Sequence, residues 1–191
     1  MAAYDVIHLR ARVAFDNILG KPQALLLEVL GHCDTDLELL TAAKELQKPV
    51  TFHDSEFGTF VLNRRINWYE ANTSLEGLDV RLSLSPGESG KLEELLATSR
   101  ILFRAQDPWC HRATDYAVSE LLTLKNEAWL GEDESELSAA QFRARIKLTS
   151  IVIRSGERFE FWYEDGDLFW GHSISVSGDL INGPKDANIQ G

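Results

Sequence analysis

The chain has 191 residues, with 19 Lys and Arg against 30 Asp and Glu, a net charge of −11 and a pI near 4.9. This balance argues against a nucleic-acid partner, which calls for a basic footprint, and against an anionic membrane surface. Composition is that of a globular protein, 44% hydrophobic and 26% charged. The N-terminal residues lack a signal-peptide pattern and no long apolar run occurs, so a cytoplasmic protein is expected. Cys33 and Cys110 are too few for a disulfide framework, and both are read as reduced thiols.

Taken in order, Ile7, Leu9, Ala11, Val13 and Phe15 alternate with His8, Arg10 and Arg12, which predicts a half-buried strand. Gly20-Lys21-Pro22 is a turn, and the apolar run at 24–30 reads as a second strand. Thr35-x-x-Glu38 is a capping-box pattern, with Leu37, Leu40 and Ala43 at helical spacing behind it and an end expected near Lys48-Pro49. Residues 58–69 read as a strand in which Phe60, Leu62, Ile66 and Trp68 share parity and Arg64 interrupts them. Leu78, Val80, Leu82 and Leu84 form its hairpin partner across a loop at 72–77. Residues 1–84 thus form an N-terminal α+β unit.

Ser85-Pro86-x-Glu88 has the form of a helix start: a cap, proline in first position and an acid in the first turn. Leu92, Leu95, Leu96, Leu102 and Phe103 follow as one stripe. Asp107-Pro108 opens a second helix carrying Trp109, Ala113, Tyr116, Leu121 and Leu124, ending near Gly131. Leu137-Ser138-x-x-Gln141-Phe142 opens a third, with Leu137 and Phe142 spaced for a hydrophobic staple and Gln141 for a reciprocal cap. A strand at 148–154 then turns at Ser155-Gly156 into a hairpin centred on Asp165-Gly166, a strong type I′ signal. Leu168, Trp170, His172, Ile174 and Val176 share one face with Phe159, Phe161 and Tyr163 as the expected core, while Trp162 and Phe169 take the other parity. Residues 85–191 are therefore three helices and a three-stranded meander. The whole is an α+β protein of antiparallel sheet segments with a helical region between them.

Two stretches carry a resemblance. The segment at 164–173, EDGDLFWGHS, and Gly58, Phe60, Leu62, Arg64, Trp68, Tyr69 and Glu70 upstream, together with the helix at 109–129, are similar to an uncharacterised bacterial family of unknown function, over roughly 57–191. Where that pattern often carries a tryptophan, this chain has Leu75 before Glu76-Gly77. The resemblance implies a bacterial cytoplasmic protein and no particular chemistry. Small acidic families of this kind are similar to immunity proteins of toxin systems, an analogy of type only.

The candidate sites are weighed against structural roles. His172 reads as a core histidine; a base would need a partner, and Asp167 or Glu164 is nearest in sequence. Glu164, Asp165 and Asp167 read as turn residues rather than a calcium loop. Cys33 opens a helix but no base is identifiable beside it, and the adjacent pairs His32-Cys33 and Cys110-His111 do not have zinc spacing. No catalytic set, metal or cofactor is assigned. An enzyme, if present, would use His172, Asp167 and Arg64 for hydrolysis or transfer on a small anionic substrate. The favoured expectation is a non-enzymatic module that binds a protein with a basic surface, through Trp162 and Phe169 and the acidic loop Glu132, Asp133, Glu134 and Glu136.

Overall fold

The computed structural model describes residues 4–15, 21–75, 77–87 and 91–191. Gly20, Glu76 and Glu88, which figure in the expected turn, loop and helix start, lie outside the described residues. The chain divides into two compact units, Met1–Val50 and Thr51–Gly191. Among the described residues no helix is long and apolar enough to cross a membrane.

In the first unit, β1 (Ile7–Ala14) and β2 (Gln23–His32) pair antiparallel, and α1 (Leu37–Gln47) follows. The cap of α1 is Asp36 rather than Thr35: its carboxylate accepts from the Leu39 backbone N–H at 3.0 Å. Either side chain can cap, and the helix simply starts one residue later than the Thr35 pattern implies.

The second unit is one eight-stranded sheet in the order β10-β9-β8-β7-β6-β5-β4-β3. Its first half is a meander of β3 (Thr51–Asp54), β4 (Gly58–Asn63), β5 (Trp68–Leu75) and β6 (Leu78–Ser85). Its second half is another meander, β7 (Lys147–Arg154), β8 (Arg158–Glu164), β9 (Ser173–Asp179) and β10 (Gly183–Gln190). Between them run α2 (Leu92–Arg104), α3 (Gln106–Ala128) and α4 (Ala139–Arg145), and β6 pairs with β7 in parallel. A parallel neighbour needs a long crossover, which these helices supply. The pairing of Arg81–Ser85 with Ser150–Arg154 is also why no division falls at 84/85: one sheet crosses that point.

Several boundaries differ from expectation. The strand read at 58–69 breaks at a turn over 64–67, where Asn63 Oδ1 accepts from the Arg65 N–H at 3.2 Å and Asn67 takes φ 57°. Asparagine tolerates that left-handed conformation, so the local chemistry outweighs the alternation. Strand β5 then continues through the stretch read as a loop. Ser85 ends β6 instead of starting a helix. The Asp107-Pro108 signal falls inside the first turn of α3, and the Ser138–Gln141 capping box forms as expected. The C-terminal meander gains a fourth strand, β10, which has little apolar alternation to announce it.

One face of the sheet carries Phe60, Leu82, Leu84, Ile151, Ile153, Phe159, Phe161, Ile174 and Val176, all buried in one cluster with Leu95, Leu102, Trp109, Ala113 and Phe142 from the helices. Trp109 meets Phe159 edge-on at 5.2 Å, and Phe57 meets Phe103 at 4.9 Å. The other face is polar. A row runs across it from Glu70 through Ser83, Val152 and Glu160 to Ser177.

Candidate functional site

The most unusual backbone lies in the connection between β8 and β9. Residues 165–172 are not strand; they form two successive four-residue turns. The Leu168 N–H reaches the Asp165 carbonyl at 3.2 Å, with Gly166 at φ 56° and Asp167 at φ 65° between them. The His172 N–H reaches the Phe169 carbonyl at 3.2 Å, with Trp170 at φ 57° and Gly171 at φ 85° between them. Two central residues with positive φ are the signature of type I′ turns. The Asp165 carboxylate, 4% exposed, ties both together by accepting from the backbone N–H groups of Asp167 at 3.1 Å, Phe169 at 2.6 Å and Gly171 at 3.3 Å. Leu168 and Phe169 are fully buried and anchor the loop.

Two expectations are corrected here. Phe169 is core, not a binding aromatic. Trp170 is 65% exposed, not core. Period-two parity was the wrong template for a segment in which four of eight residues are left-handed. The spacing of Gly166 and Gly171, five residues apart, each beside a residue that shares its positive φ, is the signal that alternation hides.

Trp170 has company. Its ring lies 4.8 Å from Trp129, the residue that ends α3, and Trp129 also meets Phe169 at 5.5 Å and His172 at 5.6 Å. His172 donates from its Nδ1–H to the Phe169 carbonyl at 2.7 Å, because a carbonyl can only accept, and this leaves Nε2 as the ring nitrogen not used in that bond. No carboxylate lies within hydrogen-bond reach of this ring among the described residues, so His172 acts as an aromatic wall held in place by the turn.

The acidic loop after α3 joins the same surface. Lys125, fully buried, donates to the Trp129 carbonyl at 2.7 Å and to Glu134 Oε2 at 2.5 Å. Arg145 donates to Glu134 Oε1 at 2.9 Å and, through Nε and Nη2, to the Gly166 carbonyl at 2.9 and 2.7 Å. Glu134 is thus the joint between the two loops rather than a free acid of a binding surface. The Lys125 hydrogen bond, aided by the Gly131 N–H and Arg145, lowers its pKa to about 2. Gly166 is required here for space as well as conformation: a Cβ would fall 2.3 Å from the Arg145 carbonyl oxygen. Glu132, Asp133 and Glu136 remain exposed on one loop, Asp167 on the other and Glu164 at the end of β8.

Trp162 lies on the polar sheet face, half-buried, and donates from Nε1 to Glu160 Oε2 at 3.3 Å. Glu160 in turn takes a bidentate grip from Arg154 at 2.7 and 3.2 Å, and Arg154 also sits 4.9 Å over Trp68. The indole is built into a hydrogen-bonded network apart from the loops around Trp170. Arg64 lies exposed in the β4–β5 turn, five strands from β9 in the sheet order and at the opposite end of the sheet from residue 172. At 4.7–4.9 Å per strand that is about 24 Å across the sheet alone. His172, Asp167 and Arg64 therefore do not converge on one pocket. Cys33 is buried with its Sγ 3.9 Å from Thr35 Oγ1, and no disulfide joins Cys33 and Cys110. Among the described residues no three His, Cys, Asp or Glu side chains are grouped to hold a metal ion.

Neither a curated protein nor a solved structure matches the chain. One family model matches residues 54–189, from the last residue of β3 to the penultimate residue of β10, which is more than half of the chain and nearly all of the second unit. The chain belongs to DUF2262, a family of uncharacterized proteins conserved in bacteria.

Proposed function

We propose that the chain is a non-enzymatic protein-binding module whose contact surface is centred on Trp170 and rimmed by Glu132, Asp133, Glu136, Glu164 and Asp167. The observation that carries this reading is the placement of Trp170. A large aromatic side chain stands in water at 65% exposure on a backbone conformation that disfavours it. Strain of this kind persists where surrounding contacts over-determine it, and it concentrates at functional sites. A rigid tryptophan backed by a second tryptophan is the form of an interface hot spot.

The chemistry of the rim sets the partner. Glu132, Asp133 and Glu136 on the acidic loop, Asp167 on the double turn and Glu164 at the end of β8 are exposed, while the cations Lys125 and Arg145 are turned inward onto Glu134 and backbone carbonyls. A partner with a basic surface fits, and the net charge of −11 would steer it in. An immunity-type role, masking a cationic effector, is the form of this reading that fits a small acidic bacterial protein. On this reading the segment at 164–173 carries the surface.

Affinity capture from the bacterial host, eluted at low and at moderate salt, tests it. A basic protein should co-elute from the native chain, in a salt-sensitive way, and be lost with Trp170→Ala and with Glu132→Lys plus Asp133→Lys. Binding that survives all three substitutions would overturn the proposal.

A further inference from the structure

A separate recess opens where the ends of β5 and β6 meet the helical layer. It encloses about 240 Å³. Its floor is aliphatic, built from Leu75, Leu78, Ile146 and Leu148. Its rim carries two cations, Arg143 from α4 and Lys147 from the start of β7, and the imidazole of His111 from α3. Thr114 and Tyr163 add hydroxyls, 3.4 Å apart. No carboxylate lines it. In a chain where Asp and Glu outnumber Lys and Arg by 30 to 19, an arginine and a lysine on one recess with no acid among the lining residues is a local reversal of sign.

The donors are disposed to receive an anion. Lys147 has no ion-pair partner among the described residues; its cross-strand neighbour is Glu164, which does not line the recess. Arg143 binds Asp115 through Nε at 3.1 Å and Nη2 at 2.5 Å, which leaves Nη1 to donate elsewhere. His111 gives its Nδ1–H to the Asp107 carbonyl at 2.7 Å, so Nε2 is the nitrogen left for a ligand, as an acceptor when neutral and a donor when protonated. Charge-assisted hydrogen bonds of this kind are the strong ones. The aliphatic floor separates the candidates: a bare inorganic anion would leave Leu75, Leu78 and Ile146 without contact, whereas an alkyl chain would cover them. The volume lies below the roughly 300–1,000 Å³ of sites for drug-sized ligands, so the occupant is small.

We propose that this recess binds a short-chain aliphatic carboxylate, with its carboxylate on Arg143 and Lys147, joined by His111 when its Nε2 carries a proton, and its chain on the leucine and isoleucine floor. The proposal uses none of the residues of the Trp170 surface and stands or falls apart from it.

The test is a titration of the ¹⁵N-labelled chain with sodium hexanoate, sodium butyrate and inorganic phosphate, followed by amide chemical shifts. Hexanoate should shift Thr114, Lys147 and Leu148 saturably, more tightly than butyrate. Phosphate should bind at least about tenfold more weakly than hexanoate, since it gains nothing from the floor. Lys147→Ala should weaken hexanoate about tenfold, the weight of one charge-assisted hydrogen bond, and leave distant amides unmoved. His111→Gln, on an exposed helical position, should weaken it as well. No saturable shift with hexanoate up to about 20 mM, a range that captures millimolar ligands, would overturn the proposal. So would phosphate binding as tightly as hexanoate, or hexanoate affinity unchanged by both substitutions.

Discussion

Trp170 occupies a conformation that costs an L-residue about 1–2 kcal/mol, because its Cβ crowds the following carbonyl. Trp170→Gly should relieve that strain and hold or raise stability. Trp170→Ala should change denaturant stability by less than about 1 kcal/mol, since little of the ring is buried. Both should cost partner affinity about tenfold or more if the indole is a hot spot. A loss of several kcal/mol in stability would instead make Trp170 a folding residue. Glu134 titrates with a clear sign. Its folded pKa, about 2, lies below the ordinary 4.5, so its contribution is present above pH 4.5 and is lost as pH falls from there toward 2. An acid-unfolding series of Glu134→Gln against the native chain should show a shallower dependence across that window in the variant.

At the scale of elements, the β8–β9 loop is held by one side chain. Asp165→Ala removes the acceptor for three backbone N–H groups, that of Phe169 in a buried setting and those of Asp167 and Gly171 part-buried. A buried unsatisfied donor costs about 1–3 kcal/mol, so a loss of about 1–3 kcal/mol is expected in urea unfolding. Amide exchange should accelerate first at Phe169 and Gly171. Helix α4 is only seven residues long and leans on its capping box, in which Ser138 Oγ accepts from the Gln141 N–H at 3.3 Å and Gln141 Oε1 from the Ser138 N–H at 2.9 Å. Ser138→Ala should cost about 1 kcal/mol. Because α4 ends at Arg145, which clasps both Glu134 and Gly166, fraying it should also loosen the two loops that frame Trp170. The same coupling explains why the acidic loop and the double turn form one surface.

At the scale of the molecule, the two units differ in how they are stabilised. Unit two buries a continuous aromatic and aliphatic core between sheet and helices. Among the described residues of unit one, only Cys33 and Ala43 of the hydrophobic side chains are buried, while Leu25, Leu26, Leu27 and Leu30 are more than half exposed. An isolated two-stranded ribbon is marginal in water. A chain of residues 51–191 should therefore fold cooperatively by itself, with a single thermal transition, and one of residues 1–50 should show the circular dichroism of an unfolded peptide. A folded 1–50 fragment would contradict this account of where the stability lies.

Local chemistry alone determined much of this protein. Alternation gives β1, β6 and β8, helical spacing gives α2 and α3, and Ser138-x-x-Gln141 gives the start of α4, because each depends on neighbours in sequence. The acidic balance is equally plain in the chain, and a turn at Gly166 is as well, although its central pair is Gly166-Asp167 instead of Asp165-Gly166 and a second turn follows before β9. Tertiary structure decided the rest. Which acid is free and which is a joint depends on Lys125 and Arg145 reaching Glu134 from different elements. Whether Phe169 or Trp170 is the buried aromatic depends on left-handed turns that an alternating pattern cannot encode. The joining of two meanders into one sheet depends on the pairing of β6 with β7, whose strands lie some sixty residues apart, and no local pattern records a partner at that distance.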